Sequence, residues 1–255
     1  MSLDAEGESA ATSKILTGKK LYLTGLEHLP ENELVINNQI VKAGGEVVSS
    51  KHNGPIDYLV TGLIYDVNKE ISMEPDNIWT YLWLEDCLEQ GKIAPLQYFH
   101  QPIIPPEPDV KPCQDLVIGI SNYKGFERQY IRALAQALGM TAQELFARKN
   151  KKGALKNTHL ICKIPEGTKY EAGLNWQIPV VSHSWLLNCL KYKTFVSEKT
   201  FLVGNSTVVT PNKPDVDELE KKLETAKNHE NQGLIQSFGK TIKHHFYELV
   251  RLCIF

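Results

Sequence analysis

A six-residue block, Trp83-Leu84-Glu85-Asp86-Cys87-Leu88, returns 102 residues later as Trp185-Leu186-Leu187-Asn188-Cys189-Leu190. Each copy follows an apolar, strand-like run at a similar distance. Solenoid repeats run about 20–50 residues, so a period this long signals two related domains in tandem. The chain is therefore one fold used twice.

The 255 residues hold 42% hydrophobic and 9% aromatic side chains, enough for two real cores. A net charge of -2 gives no bulk attraction to nucleic acid, so any anion site must come from local clustering of cations. The five cysteines, Cys87, Cys113, Cys162, Cys189 and Cys253, are odd in number and form no CxxC pair. With no apolar signal segment at the start, they predict a reducing compartment, cytosol or nucleus. No run approaches the roughly 18 apolar residues of a membrane-spanning helix.

Residues 1–13 are small, polar and acidic and read as a disordered leader. The first module then shows a strand at Lys20–Gly25, a helix over Asn32–Ala43 closed by Gly44-Gly45, and strands at Glu46–Ser49 and Asp57–Thr61. Asn77-Ile78-Trp79 leads into a helix around Trp83–Leu88, ended by Gly91. The prolines between Pro102 and Pro108 form a stiff linker, since proline lacks an amide donor and fixes its own backbone. The order then repeats: strand Leu116–Ser121, helix Phe126–Leu138, strand Thr158–Cys162, helix Lys169–Trp176, strand Ile178–Val181 and helix Ser184–Tyr192. Short strands alternating with helices predict parallel sheets flanked by helices.

Thr24-Gly25, Gly44-Gly45 and Trp83 in the first module are joined in the second by Ser121, Gly139, Thr158-His159-Leu160-Ile161, Lys169-Tyr170-Glu171-Ala172 and Trp185. This set resembles tandem BRCT repeats, over about residues 14–204 and most strongly in the second module. The resemblance implies an α/β chain of two BRCT domains, each a four-stranded parallel sheet flanked by helices, with a helical C-terminal tail. The expected boundaries are 14–104 for the first domain, 105–112 for the linker, 113–204 for the second domain and 205–255 for the tail.

It also implies a non-enzymatic reader of phosphoserine or phosphothreonine in DNA replication and damage-checkpoint signalling, located in the nucleus. Such a group carries about -1.5 to -2 charges and three strong acceptor oxygens, so it calls for a hydroxyl, a fixed cation and a helix N-terminus. The resemblance places the phosphate-contacting hydroxyl at Ser121, with the Asn122 backbone amide beside it. Lys169 opens a helix whose free amides can face the same anion. Arg148 matches a third basic contact. In the first module Thr24, Gly25 and Lys69 form a weaker candidate. There a gapless alignment sets Asn68, not Lys69, opposite Lys169, and Glu70, Glu74 and Asp76 make the neighbourhood acidic.

Arg148, Lys149, Lys151, Lys152 and Lys156 are five basic residues in nine positions that hold no acid. The cluster can steer an acidic peptide, hold DNA phosphates, or simply be a solvated loop. Direct DNA binding through Arg148–Lys156 is the alternative function. Trp83 and Trp185 are expected to fill the two cores, and Cys87 and Cys189 to be buried small hydrophobes. No paired acid and base, metal cluster or phosphate-binding glycine loop is visible, so neither cofactor nor metal is expected.

Beyond Gly204, Val216, Leu219, Leu223 and Ala226 space a short helix, and Ile235, Phe238, Ile242, Phe246, Leu249 and Cys253 a second apolar stripe. That stripe either docks on the tandem, mediates self-association or lies on a partner. The expected partners are phosphorylated checkpoint, repair or replication proteins, with DNA as the alternative and self-association through the first domain or the C-terminal helix. No membrane is expected.

Overall fold

The computed structural model describes residues 14–27, 33–66, 77–207 and 214–230. The leader, Lys69 with its acidic neighbours, and the stripe from Ile235 to Cys253 lie outside them. The chain divides between Pro102 and Ile103 into two compact units.

In the first unit β1 (Lys20–Thr24), α1 (Glu33–Lys42), β2 (Glu46–Val48), β3 (Tyr58–Thr61), β4 (Ile78–Thr80) and α2 (Tyr81–Gln90) follow in order. All strand pairs are parallel, in the spatial order β2-β1-β3-β4. Parallel neighbours need crossover connections, and helices on the faces then bury the central strands. Leu21, Leu23, Leu59 and Val60 are accordingly buried, and Trp83 packs 4.7 Å from the Tyr58 ring centroid. Two details differ from the sequence reading. Ile78–Thr80 is a strand in its own right, and α1 buries Ile36 and Ile40 while Leu34 and Val41 stand in solvent.

The second unit holds β5 (Val117–Ser121), α3 (Gly125–Ala137), β6 (Thr141–Ala142), β7 (His159–Cys162), α4 (Thr168–Asn175), β8 (Val180–Val181), α5 (His183–Tyr192) and α6 (Val216–Glu230). The strands are again parallel, in the order β6-β5-β7-β8. Leu21 of β1 pairs with Tyr58 and Ile118 of β5 with His159, so Thr24 and Ser121 occupy the same place at the ends of their strands. The edge strand β6 completes the four-stranded sheet that the resemblance implies, and pattern alone does not locate it because its two residues carry no apolar alternation.

The duplication extends to helix endings. Gly44 donates its N–H to the Val41 carbonyl and Gly45 to Ile40, while Gly139 donates to Gln136 and Met140 to Ala135. Both pairs form the Schellman motif, which needs a left-handed residue just past the helix, and Gly44 and Gly139 have φ of 87° and 88°.

Trp185 is fully buried, stacks on the His159 ring at 4.7 Å and donates its indole N–H to the Val196 carbonyl. His159 in turn meets the buried Glu198 carboxylate at 3.2 Å. Cys87, Cys113, Cys162 and Cys189 are all free and buried, as small hydrophobes are. Burial and the adjoining Cys113 sulfur both push the Cys189 thiol up.

α6 is held to α5 by Glu220, which accepts from Lys191 at 3.3 Å and from Tyr192 at 3.0 Å. Asn205 and Ser206 are tied to the second unit by hydrogen bonds. Asn205 donates its N–H to the Tyr170 hydroxyl, and Val180 donates to the Ser206 hydroxyl.

Candidate functional site

β5 ends at Ser121, and the next residue, Asn122, turns left-handed with φ of 65°, a conformation asparagine tolerates better than most side chains. The Ser121 hydroxyl donates to the Asn122 side-chain oxygen at 2.6 Å. The Asn122 amide reaches the Glu166 carbonyl at 3.4 Å. A Cβ on Gly167, which caps α4 with φ of 93°, would lie 3.9 Å from the same Asn122 oxygen. The end of β5 and the start of α4 therefore meet, and the unpaired amides of α4's first turn face the same region.

Lys169 sits in that first turn. Its ammonium donates to the Ile120 carbonyl at 3.2 Å and to the Glu144 carbonyl at 3.0 Å, which ties α4 to β5 and to the loop beyond β6. Burial pushes its pKa down, the Arg128 charge adds to that, and Glu144 works against both. A half-buried ammonium bonded to neutral carbonyls is a fixed cation that still lacks a full countercharge.

Arg128, which the sequence reading passed over, completes the cluster. One of its guanidinium nitrogens donates to the same Ile120 carbonyl at 3.3 Å, and the other side of the fork holds the Glu144 carboxylate. Arg132, one turn later on α3, takes the second oxygen of that carboxylate. Glu144 pays a desolvation cost, but the Arg128 bond and the surrounding positive charges outweigh it and hold its pKa below the usual value. The overlooked signal was a pair of arginines four apart on the helix that follows Ser121, where one face of a helix carries both.

Glu144 is positioned from both sides. Gln143 donates its backbone N–H to Ile118, and its side-chain amide reaches the Leu145, Leu155 and Asn157 oxygens at 2.8 Å each. Phe146 stacks on Trp176 at 5.1 Å and lies over Gly119, where a Cβ would come 2.7 Å from its ring. The missing side chain in β5 thus gives Phe146 room to anchor the loop.

Arg148 is exposed, and no hydrogen bond or ion pair ties it to Ser121, Asn122 or Lys169. Lys149, Lys151, Lys152 and Lys156 are exposed with it. Their loop is nevertheless ordered by a Lys151–Ala154 bridge and by Asn150, whose oxygen accepts the Lys156 N–H at 2.7 Å. In the first unit Thr24 and Gly25 occupy the place equivalent to Ser121 and Asn122, and among the described residues no cation is bonded to either. Among the described residues there is also no group of metal-ligating side chains and no helix long and apolar enough to cross a membrane.

Comparison with known proteins agrees with the architecture. Residues 116–185 match the twin BRCT domain family. PAX-interacting protein 1 of Danio rerio is 27% identical over 166 residues, covering 64% of this chain and 17% of that protein. BRCT-containing protein 1 of Schizosaccharomyces pombe is 29% identical over 180 residues, covering 69% of this chain and 20% of that protein. The chain thus spans a fifth or less of these curated relatives. Among solved structures, the third and fourth BRCT domains of S. pombe Rad4 superpose with a TM-score of 0.56 at 18% identity, covering 74% of this chain and all of that one. Yeast Rtt107, solved with Mms22, gives 0.55 at 21% identity, over 74% of this chain and 44% of that one. The two parallel four-stranded sheets with their flanking helices are the tandem BRCT fold.

Proposed function

We propose that the chain is a phosphoprotein-binding scaffold module of DNA replication and damage signalling, and that its second domain reads the phosphate. The observation that carries this is the convergence of the Ser121 hydroxyl, the Asn122 turn, the first turn of α4, Lys169 and Arg128 around the end of β5. A phosphate oxygen can take over the Ser121 hydroxyl proton, now donated to the Asn122 side-chain oxygen. The α4 amides and Lys169 face the remaining charge, and Arg128 supplies a fork suited to phosphate geometry.

The second module's sequence resembles the fifth BRCT repeat of the topoisomerase-II-binding checkpoint scaffold, and the first module its fourth, which supports the same assignment. Rtt107 has been solved with Mms22 and with Slx4, in keeping with a scaffold role for this fold. On this reading the protein acts in the nucleus, without enzymatic activity, and its partners are phosphorylated repair, checkpoint or replication proteins. Arg148 and the four loop lysines act at longer range, steering acidic sequence around the phosphosite. The first domain, including Thr24, Gly25 and Lys69, serves partner binding or architecture.

The test is a fluorescence titration of the full chain with a degenerate phosphoserine/phosphothreonine peptide pool and its unphosphorylated twin. The reading expects binding that requires phosphate and is lost in Lys169→Glu. Equal binding of both pools, or full binding by the variant, would contradict it. Binding to duplex DNA that survives Lys169→Glu but not neutralisation of the basic loop would support the DNA alternative.

A further inference from the structure

The cation cluster already holds an anion. The Glu144 carboxylate spans Arg128 and Arg132, one oxygen to each, while its own backbone carbonyl takes the Lys169 ammonium. Three cations and one carboxylate leave the cluster two positive charges in excess. That surplus draws a further anion to the cluster, and a phosphate dianion carries about twice the charge of a carboxylate. The Glu144 side chain is 60% exposed, so it can swing into water without breaking the core. The backbone and side-chain hydrogen bonds of Gln143 and the Phe146–Trp176 stack would meanwhile keep the loop in place.

We propose that Glu144 is the specificity-determining residue of this pocket: its carboxylate is the resident anion of Arg128 and Arg132, which a phosphate dianion displaces and a side-chain carboxylate does not. The inference rests on the phosphate-binding role argued above and adds a reason for selectivity. An incoming Asp or Glu offers the arginines one charge in exchange for one charge already bound, with no gain. A phosphate offers nearly two charges and three acceptor oxygens, enough to hold Lys169 and Arg128 together. Glu144 therefore lowers affinity for every anion but lowers it most for singly charged ones. A kinase-dependent signal would not be imitated by the acidic segments that abound in other proteins.

The test uses inorganic phosphate and acetate as probes, titrated into the full chain and its Glu144→Gln variant at pH 7.5, with the Asn122 and Lys169 amide resonances as readout. The wild-type chain is expected to respond to phosphate and scarcely to acetate. Glu144→Gln should bind phosphate about three- to tenfold more tightly and acetate measurably, so that the phosphate-to-acetate ratio falls about tenfold. An unchanged ratio, or weaker phosphate binding in the variant, would overturn the proposal by showing that Glu144 only positions the arginines.

A second measurement needs no variant. At pH 7.5, where inorganic phosphate is mostly the dianion, the wild-type Glu144 carboxylate carbon resonance should move toward that of a solvated glutamate as phosphate is added, because its arginine partners have been taken. A carboxylate resonance that ignores bound phosphate would equally overturn it. Absence of any phosphate response at Asn122 and Lys169 in both proteins would be a different failure, and would remove the phosphate-binding reading itself.

Discussion

Lys169 and Arg128, from different helices, donate to one acceptor, the Ile120 carbonyl oxygen, at 3.2 and 3.3 Å. Two like charges at one oxygen repel each other, and the Lys169 pKa is depressed by burial and by Arg128 together. An anion between them relieves that repulsion. On the proposed reading the pocket is assembled before its ligand arrives, which reduces the ordering cost of binding.

Removing either cation should therefore cost more in binding than in folding, although each also ties neighbouring elements together. Lys169→Glu is expected to weaken phosphopeptide affinity by about 30-fold or more, the range for losing one partner of a buried charge pair, and Arg128→Gln by about tenfold. Arg148→Ala should cost severalfold at low salt and little at high salt, since its exposed charge is screened. Isothermal titration at two ionic strengths separates the three.

Gly119 tests how the pocket is supported. A methyl group at this position would lie 2.7 Å from the Phe146 ring, so Gly119→Ala should destabilise the second unit by about 1–3 kcal/mol through overpacking. It should also weaken anion binding, because Phe146 fixes the loop whose Glu144 carbonyl holds the Lys169 ammonium. Urea denaturation and phosphopeptide titration of the same variant check both effects.

Trp185 and Trp83 predict matched core losses. Both are essentially fully buried, and truncation to alanine should cost about 3–5 kcal/mol in the unit concerned. Denaturation profiles should then show each substitution acting on its own unit.

Acidification gives a fourth expectation. His183 hydrogen-bonds to the Tyr123 hydroxyl, and burial pushes its pKa down from 6.5 to about 4. His100 is also lowered, by burial, although Asp86 works the other way. In both cases the unfolded chain binds protons more readily than the folded one. Stability is therefore full above pH 6.5 and falls as pH drops below it, for His183 until about pH 4. Urea midpoints between pH 7.5 and 4.5 should decline, and His183→Gln should flatten the decline of the second unit.

Much of the fold was legible because duplicated features obey local rules. The Trp-x-x-x-Cys helices, the two glycine-ended helices and the apolar central strands all follow from short-range pattern. Pattern did not locate β6, because Thr141–Ala142 is held by its neighbours and not by its own alternation. Leu34 and Val41 were misleading for a similar reason, since helical spacing alone does not say which of two apolar faces is buried.

The site was half legible. Ser121, Asn122 and Lys169 lie in recognisable motifs and do come together. Arg128 and Glu144 sit 16 residues apart, and only the closeness of α3 to the loop after β6 unites them. Arg148, expected in the site because it matches a third basic contact of the resembling repeat, is bonded to none of the three.

The most direct measurement maps the amide resonances of the full chain during titration with the phosphoserine/phosphothreonine peptide pool. The account predicts that Asn122, Thr168 and Lys169 shift first and most, with Gly25 unmoved and residues 148–156 responding only weakly. Dominant shifts at Gly25, or confined to residues 148–156, would contradict it.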